Sequence, residues 1–138
     1  MIGLDTNILA RYYIEDEADA ESIRQREIAR SVVEAGTPLM VCKTVLLELE
    51  WVMRGYYEFE RDQIAQVMQH LMSLTHVSIE DRDAVEHALA SYSAGLDFAD
   101  ALHHACYRTC QSMLSFDDRK FVRRATRMAL VPKVKVPK

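Results

Sequence analysis

Apolar positions along this chain follow two spacings. Short apolar runs, or alternation with period two, mark strands; spacings of three and four mark helices. MIGLDTN reads as a short buried strand ending at Asp5, and NILARYYI as one or two helical turns. Residues 16–35 form a long polar amphipathic helix, with Ile23, Ile28, Val32 and Val33 on one side and Gly36 as its stop. PLMVC is a second apolar strand, followed by helices over 44–57 and 60–74. HVSIE is a third strand, and residues 81–94 and 97–112 are helical. SMLSF is a fourth strand ending at Asp117, DRKFVRRATR a short basic helix, and ALVPKVKV a last strand whose Pro132 marks an edge.

Strands alternating with helices predict βαβ crossovers and a mainly parallel sheet covered on both faces. Ligands of such open sheets bind outside the carboxyl ends of the strands. Asp5 and Asp117 each end an apolar strand, so both are expected at the same edge of the sheet.

Size and composition narrow the class. A chain of 138 residues with 49% hydrophobic content is expected to form a single domain, 1–138, with a real core. No repeat or low-complexity linker interrupts it. No stretch approaches the roughly 20 apolar residues of a membrane span, and no leader precedes Asp5, so a cytoplasmic protein is expected. Cys42, Cys106 and Cys110 lack a zinc-site spacing and read as small buried hydrophobes.

Charge is unevenly placed. The net charge is −4, yet residues 1–118 carry −12 and residues 119–138 carry +8 with no acid. Such asymmetry suggests a polyanionic or acidic partner at the basic end, beside the plainer reading of a solvated tail.

The acids then separate by whether a simple role accounts for them. Asp5 at a strand-to-helix junction reads alone as an N-cap. Glu48 lies in TVLLELEWV on a face with Val45, Leu49 and Val52, whereas Glu50 points elsewhere and pairs with Arg54 four residues on. A carboxylate on an apolar face is costly unless paired or metal-bound. In GLDFADALHHA, Asp97 is placed to cap the helix, while Asp100 lies inside it with His104 one turn on. His103, His104, His70, His76 and His87 read as ordinary polar residues. In SFDDRKF, Asp117 ends the strand and Asp118 is placed to cap the basic helix, and the two can exchange roles. Asp5, Glu48, Asp100 and Asp117 remain, a set expected to converge on one cleft. Oxygen-only donors select Mg²⁺ or Mn²⁺ over zinc, and such ions serve phosphate-ester chemistry.

On MIGLDTNIL, VLLELEWVMRGYY, GLDFADALHHA and LSFDDRKFVRRA, in this order and spacing, the chain resembles the PIN-domain family, and within it the VapC-like toxins of bacterial toxin–antitoxin pairs. The resemblance covers nearly the whole chain. It implies a doubly wound α/β/α sandwich with a central, mainly parallel sheet. It also implies a metal-dependent endoribonuclease acting on structured RNA such as tRNA or rRNA, a cognate antitoxin as inhibitor, and a homodimer. Carried over by motif, Asp5, Glu48, Asp100 and Asp117 are the catalytic acids, with Mg²⁺ or Mn²⁺ on Asp5, Asp100 and Asp117. Thr6, Asn7 and Ser115 match small polar positions that orient the acids, and Asp97 matches an accessory acid. Ser115 stands where the family more often has Thr, which keeps a hydroxyl. The Asp117–Asp118 doublet leaves the fourth acid open by one residue.

Arg119, Lys120, Arg123 and Arg124 are expected to hold RNA phosphates. Tyr12, Tyr13, Ile14, Ile23 and Ile28 read either as an antitoxin groove or as core. Two other classes fit less well. A phosphoacceptor domain wants paired acids after its first strand, and an Asp-nucleophile phosphatase wants an acid where Asn7 stands. A non-catalytic module on the same fold would bind RNA or protein without turnover.

Overall fold

The computed structural model describes residues 1–138. The chain forms two compact units, Met1–Asp81 and Arg82–Lys138. No helix is long and apolar enough to cross a membrane.

The first unit is a three-stranded parallel sheet with helical crossovers. Its elements are β1 (Ile2–Gly3), α1 (Thr6–Tyr13), α2 (Ala20–Glu34), β2 (Leu39–Val41), α3 (Lys43–Trp51), α4 (Arg61–Ser73) and β3 (Val77–Ile79). A π-helical turn, Val52–Tyr56, continues α3. The strand order is β1-β2-β3, with Ile2 opposite Leu39 and Leu39 opposite Val77. Leu39 and Val41 are buried with Met40 between them half-buried, the alternation a pleated strand requires. Side chains start the helices: Asp5 caps α1, and Asp19 caps α2 by accepting from the Ser22 N–H at 2.7 Å. Gly36 follows α2 at φ +79°, a left-handed conformation that glycine adopts without strain.

The second unit comprises α5 (Arg82–Ser93), α6 (Phe98–Cys106), β4 (Ser112–Leu114), a π-helical turn Asp118–Val122 running into α7 (Arg123–Arg127), and β5 (Lys133–Lys135). β4 and β5 pair in parallel, Ser112 opposite Lys133. The basic segment 118–127 is therefore a crossover between parallel strands. Tyr92 and Phe98, both buried, hold α5 to α6 edge-on with ring centroids 5.3 Å apart.

The expected α/β class with parallel strands is what the chain adopts. Several local expectations need correction. The first strand is two residues long and Ile2 is 52% exposed, because β1 lies at the edge of its sheet. The helix expected over 97–112 ends at Cys106, since turns over the following residues bring Ser112 into register with Lys133. The strands do not form one ladder: β1 pairs with β2, whereas β4 pairs with β5. A hydrophobic pattern identifies strands but not their partners. Cys106 and Cys110 are exposed and Cys42 half-buried, so none is a core residue. Cys106 falls on the outer side of α6, and Cys110 lies beyond that helix.

Candidate functional site

The apolar stripe of α3 decides where its two acids go. Leu46, Leu49, Glu50 and Met53 are buried, at spacings of three, four and seven. Glu50, not Glu48, is thus the buried carboxylate, at 3% exposure. Arg54 offsets its desolvation with an Nε contact at 2.8 Å and an Nη2 contact at 3.4 Å. The expected Glu50–Arg54 pair is present, but its assignment to solvent is overturned. Glu48 sits one residue step around the helix, exposed, and faces a cavity instead.

That cavity, about 700 Å³ and wholly within the first unit, gathers residues from α1, α2, α3 and the π-helical turn. Asp5, Thr6, Asn7 and Glu48 line it, so two of the four expected acids share one wall. Asp5 Oδ1 accepts from the Thr6 N–H at 2.7 Å, which makes Asp5 a cap as well as a cavity acid. Thr6 is buried at 5% exposure, and its Oγ1 has no hydrogen-bond partner in the chain.

Sequence reading did not single out the rest of the lining. Asp16 accepts from the Tyr57 hydroxyl at 2.9 Å and from the Ala18 N–H at 3.1 Å, and lies 3.6 Å from Arg11. The Ala18 N–H, then the Tyr57 hydroxyl, hold its carboxyl below the ordinary range. Trp51 and Tyr56 also line the cavity and are 59% and 73% exposed. The signal for them was present in ELEWVMRGYY, where an aromatic residue stands three positions after Glu48 on the same helical face.

The second unit gathers the other expected acids. Asp97 caps α6, with Oδ2 accepting from the Asp100 N–H at 3.4 Å. Asp100 is half-buried in the first turn of that helix. Burial pushes its carboxyl up, and the charges of Asp97 and then Asp117 push the same way, against His103 and Arg124. Asp117 is the helix cap: its Oδ1 accepts from the Lys120 N–H at 3.0 Å, and its own N–H donates to Ser115 Oγ at 3.1 Å. The capping role expected of Asp118 therefore belongs to Asp117, and Asp118 lies exposed in the first turn. Ser115 Oγ thus meets the backbone of Asp117, not its carboxylate.

His104 is buried and spent on structure, its Nε2–H donating to the Pro132 carbonyl at 2.8 Å. His70 meets the Tyr13 hydroxyl at 2.7 Å, and His76 donates to the Val33 carbonyl at 2.7 Å. Of the expected groove residues, Ile14 is core, Ile23 and Ile28 are exposed, and Tyr12 and Tyr13 line a separate cavity with Arg30, Glu34 and Phe59. Arg119, Lys120 and Arg123 are exposed and Arg124 is half-buried.

No three His, Cys, Asp or Glu side chains come close enough together to form a closed metal site. The donor chemistry nevertheless fits a hard cation: the groups are all carboxylates, and Asp100 carries like-charge crowding that a cation would relieve. The family model described as the PIN domain matches residues 2–126 of the chain. No curated protein matches it.

Proposed function

The chain belongs to the PIN-domain family, and from that premise we propose that it is a VapC-like toxin, an endoribonuclease that cuts structured RNA such as tRNA or rRNA. PIN domains are typically metal-dependent nucleases. The observation that carries the finer reading is the acid set. Asp5 and Glu48 line one cavity, and Asp100 is crowded by the charges of Asp97 and Asp117. Crowded carboxylates are a cost to a structural protein and an asset to one that binds a cation.

By the family resemblance, Asp5, Asp100 and Asp117 would hold Mg²⁺ or Mn²⁺. The ion, when bound, offsets negative charge at the scissile phosphate and acidifies a water. Glu48, exposed on the cavity wall, accepts a proton from the attacking water. The new bond is water oxygen to phosphorus, and the bond broken is phosphorus to O3′. The leaving oxygen takes its proton from solvent, so the products are a 5′-phosphate and a 3′-hydroxyl. Asp97 caps the helix that carries Asp100, and Ser115 holds the Asp117 backbone. Thr6 and Asn7 flank Asp5 on the cavity wall. Arg119, Lys120, Arg123 and Arg124 hold RNA phosphates.

The remaining parts of the proposal come from the resemblance: the whole chain acts as one PIN-like domain, works in the cytoplasm as a homodimer, and is silenced by a cognate antitoxin protein.

The test is to express the wild-type chain and Asp100→Asn in a bacterial host and map new RNA 5′ ends within minutes of induction. Discrete 5′-phosphate ends with wild type alone are expected. Equal ends from both proteins would remove Asp100 from the site. RNA binding without new ends, in both the host and the native organism, would make the chain a non-catalytic binding module. A 2′,3′-cyclic phosphate product would overturn hydrolysis by water.

A further inference from the structure

We infer that Trp51 and Tyr56 form a stacking platform for an unpaired nucleobase, beside the carboxylates Asp5 and Glu48. This rests on the nuclease reading and deepens it by naming the two rings that would seat a base of the RNA at the cleft.

The backbone sets the platform up. Glu48, Trp51 and Val52 follow one another on the face of α3 that lines the 700 Å³ cavity. The π-helical turn then widens the helix, with the Tyr57 N–H reaching back to the Val52 carbonyl at 3.2 Å. That wider turn carries Tyr56 to the same wall, one turn on from Trp51. π-helical turns inside helices are frequent at functional sites, because they re-aim side chains at some cost in hydrogen-bond geometry. Gly55 lies beside the indole, and a Cβ there would make ordinary van der Waals contact, 3.6 Å from Trp51 Cε2.

The exposure of these rings calls for an occupant. A Trp at 59% and a Tyr at 73% exposure leave large apolar faces in water, in a cavity that also carries Asp5, Asp16, Asp19 and Glu48. Tyr57 supports Tyr56 edge-on, with ring centroids 4.8 Å apart, which limits the ways Tyr56 can move. The charge of the wall points to a neutral, flat ligand. Asp5, Asp16, Asp19 and Glu48 line the cavity with Arg11 as its one cation, so the rings take the uncharged base, while the backbone phosphate approaches these carboxylates only when a cation offsets them. An unpaired base is uncharged and offers a π-face to each ring. The chain also leaves the buried Thr6 Oγ1 without a partner on the same wall, a polar group no contact within the protein accounts for. A base seated on Trp51 presents its flanking phosphodiester toward Asp5 and Glu48.

Trp51 is the single tryptophan of the chain, so its fluorescence reports the contact directly. The experiment titrates the full wild-type chain with a nine-nucleotide single-stranded RNA, with an abasic oligomer of the same length, and with the paired duplex. The buffer contains Ca²⁺, an oxygen-binding cation that screens the carboxylates. Quenching by the single strand, at least 5-fold weaker for the abasic oligomer and the duplex, is expected. Anisotropy of a labelled RNA should show binding weakened about 5- to 150-fold by Trp51→Ala or Tyr56→Ala, the range for losing one base–aromatic stack. Trp51→Phe and Tyr56→Phe should keep most of it, since they keep a ring.

Equal quenching by the abasic oligomer, no quenching at all, or unchanged affinity in both alanine variants would overturn the platform. The mapped 5′ ends judge the nuclease reading separately. Cleavage without quenching removes only the platform, and quenching without cleavage removes only the nuclease.

Discussion

Asp5 has two jobs that one substitution confounds and two substitutions separate. Its Oδ1 accepts from the Thr6 N–H at 2.7 Å at the start of α1, and the proposed mechanism also gives its charge to a cation. Asp5→Ala removes both. Asp5→Asn keeps an oxygen acceptor at the cap, where Asn serves as well as Asp, and removes only the charge. The bond goes to the first helical N–H rather than the second or third, so the lower part of the range for a lost cap applies, about 0.5–1 kcal/mol. Unfolding 138 residues releases about 2.1 cal/mol/K per residue, so that loss lowers Tm by about 2–4 °C. Losing a ligand to the cation forfeits transition-state stabilisation of about 3 kcal/mol, and each 1.36 kcal/mol is tenfold in rate. Both variants should therefore cleave RNA at least ~100-fold more slowly, while only Asp5→Ala melts early. The assay pairs thermal unfolding with single-turnover cleavage of the RNA identified by 5′-end mapping. Asp5→Asn with near wild-type cleavage would refute the ligand role. Asp5→Asn melting as early as Asp5→Ala would refute the cap.

Three further outcomes follow from the same structure. The Asp100 carboxyl is held above its ordinary value, so the metal-free fold is penalised at neutral pH and gains stability as pH falls through that raised value toward the unfolded one. Asp100→Asn in EDTA should raise Tm at pH 7 and flatten this acid-side gain; a lower Tm at pH 7 would contradict the penalty assigned to burial and to the charges of Asp97 and Asp117. Neutralising Arg123 and Arg124 together should weaken RNA binding and reduce the slope of log K against log salt by about 1.4 for a single strand, and an unchanged slope would remove them from the interface. Phe98→Ala empties a fully buried site against Tyr92 and should cost about 3–5 kcal/mol in denaturant unfolding, where a cost under about 1 kcal/mol would mean that α5 and α6 repack.

Local sequence was a good guide wherever a local rule governed. The capping roles of Asp5 and Asp97, the stop at Gly36 and the Glu50–Arg54 pair each depend on residues one to four positions apart. It misled where a rotation of one residue about a helix axis mattered. Glu48 and Glu50 are two positions apart, and both candidate faces of α3 contain Leu49, so periodicity alone could not say which acid was buried. Asp117 and Asp118 posed the same one-residue question for the helix cap, and the hydrogen bond from the Lys120 N–H shows that Asp117, not the expected Asp118, is the cap. The aromatic wall went unnoticed because EWVMRGYY read as plain helix, whereas a π-helical turn inside it carries Tyr56 around to the cavity.

By itself the sequence determined the element types, the parallel α/β class and the set of acids worth testing, because propensity, capping and hydrophobic period act over a few residues. Only the tertiary structure decided which strands pair, which acid on α3 is exposed, and which rings stand beside Glu48. Those depend on contacts between segments far apart in the chain, which a local pattern does not encode.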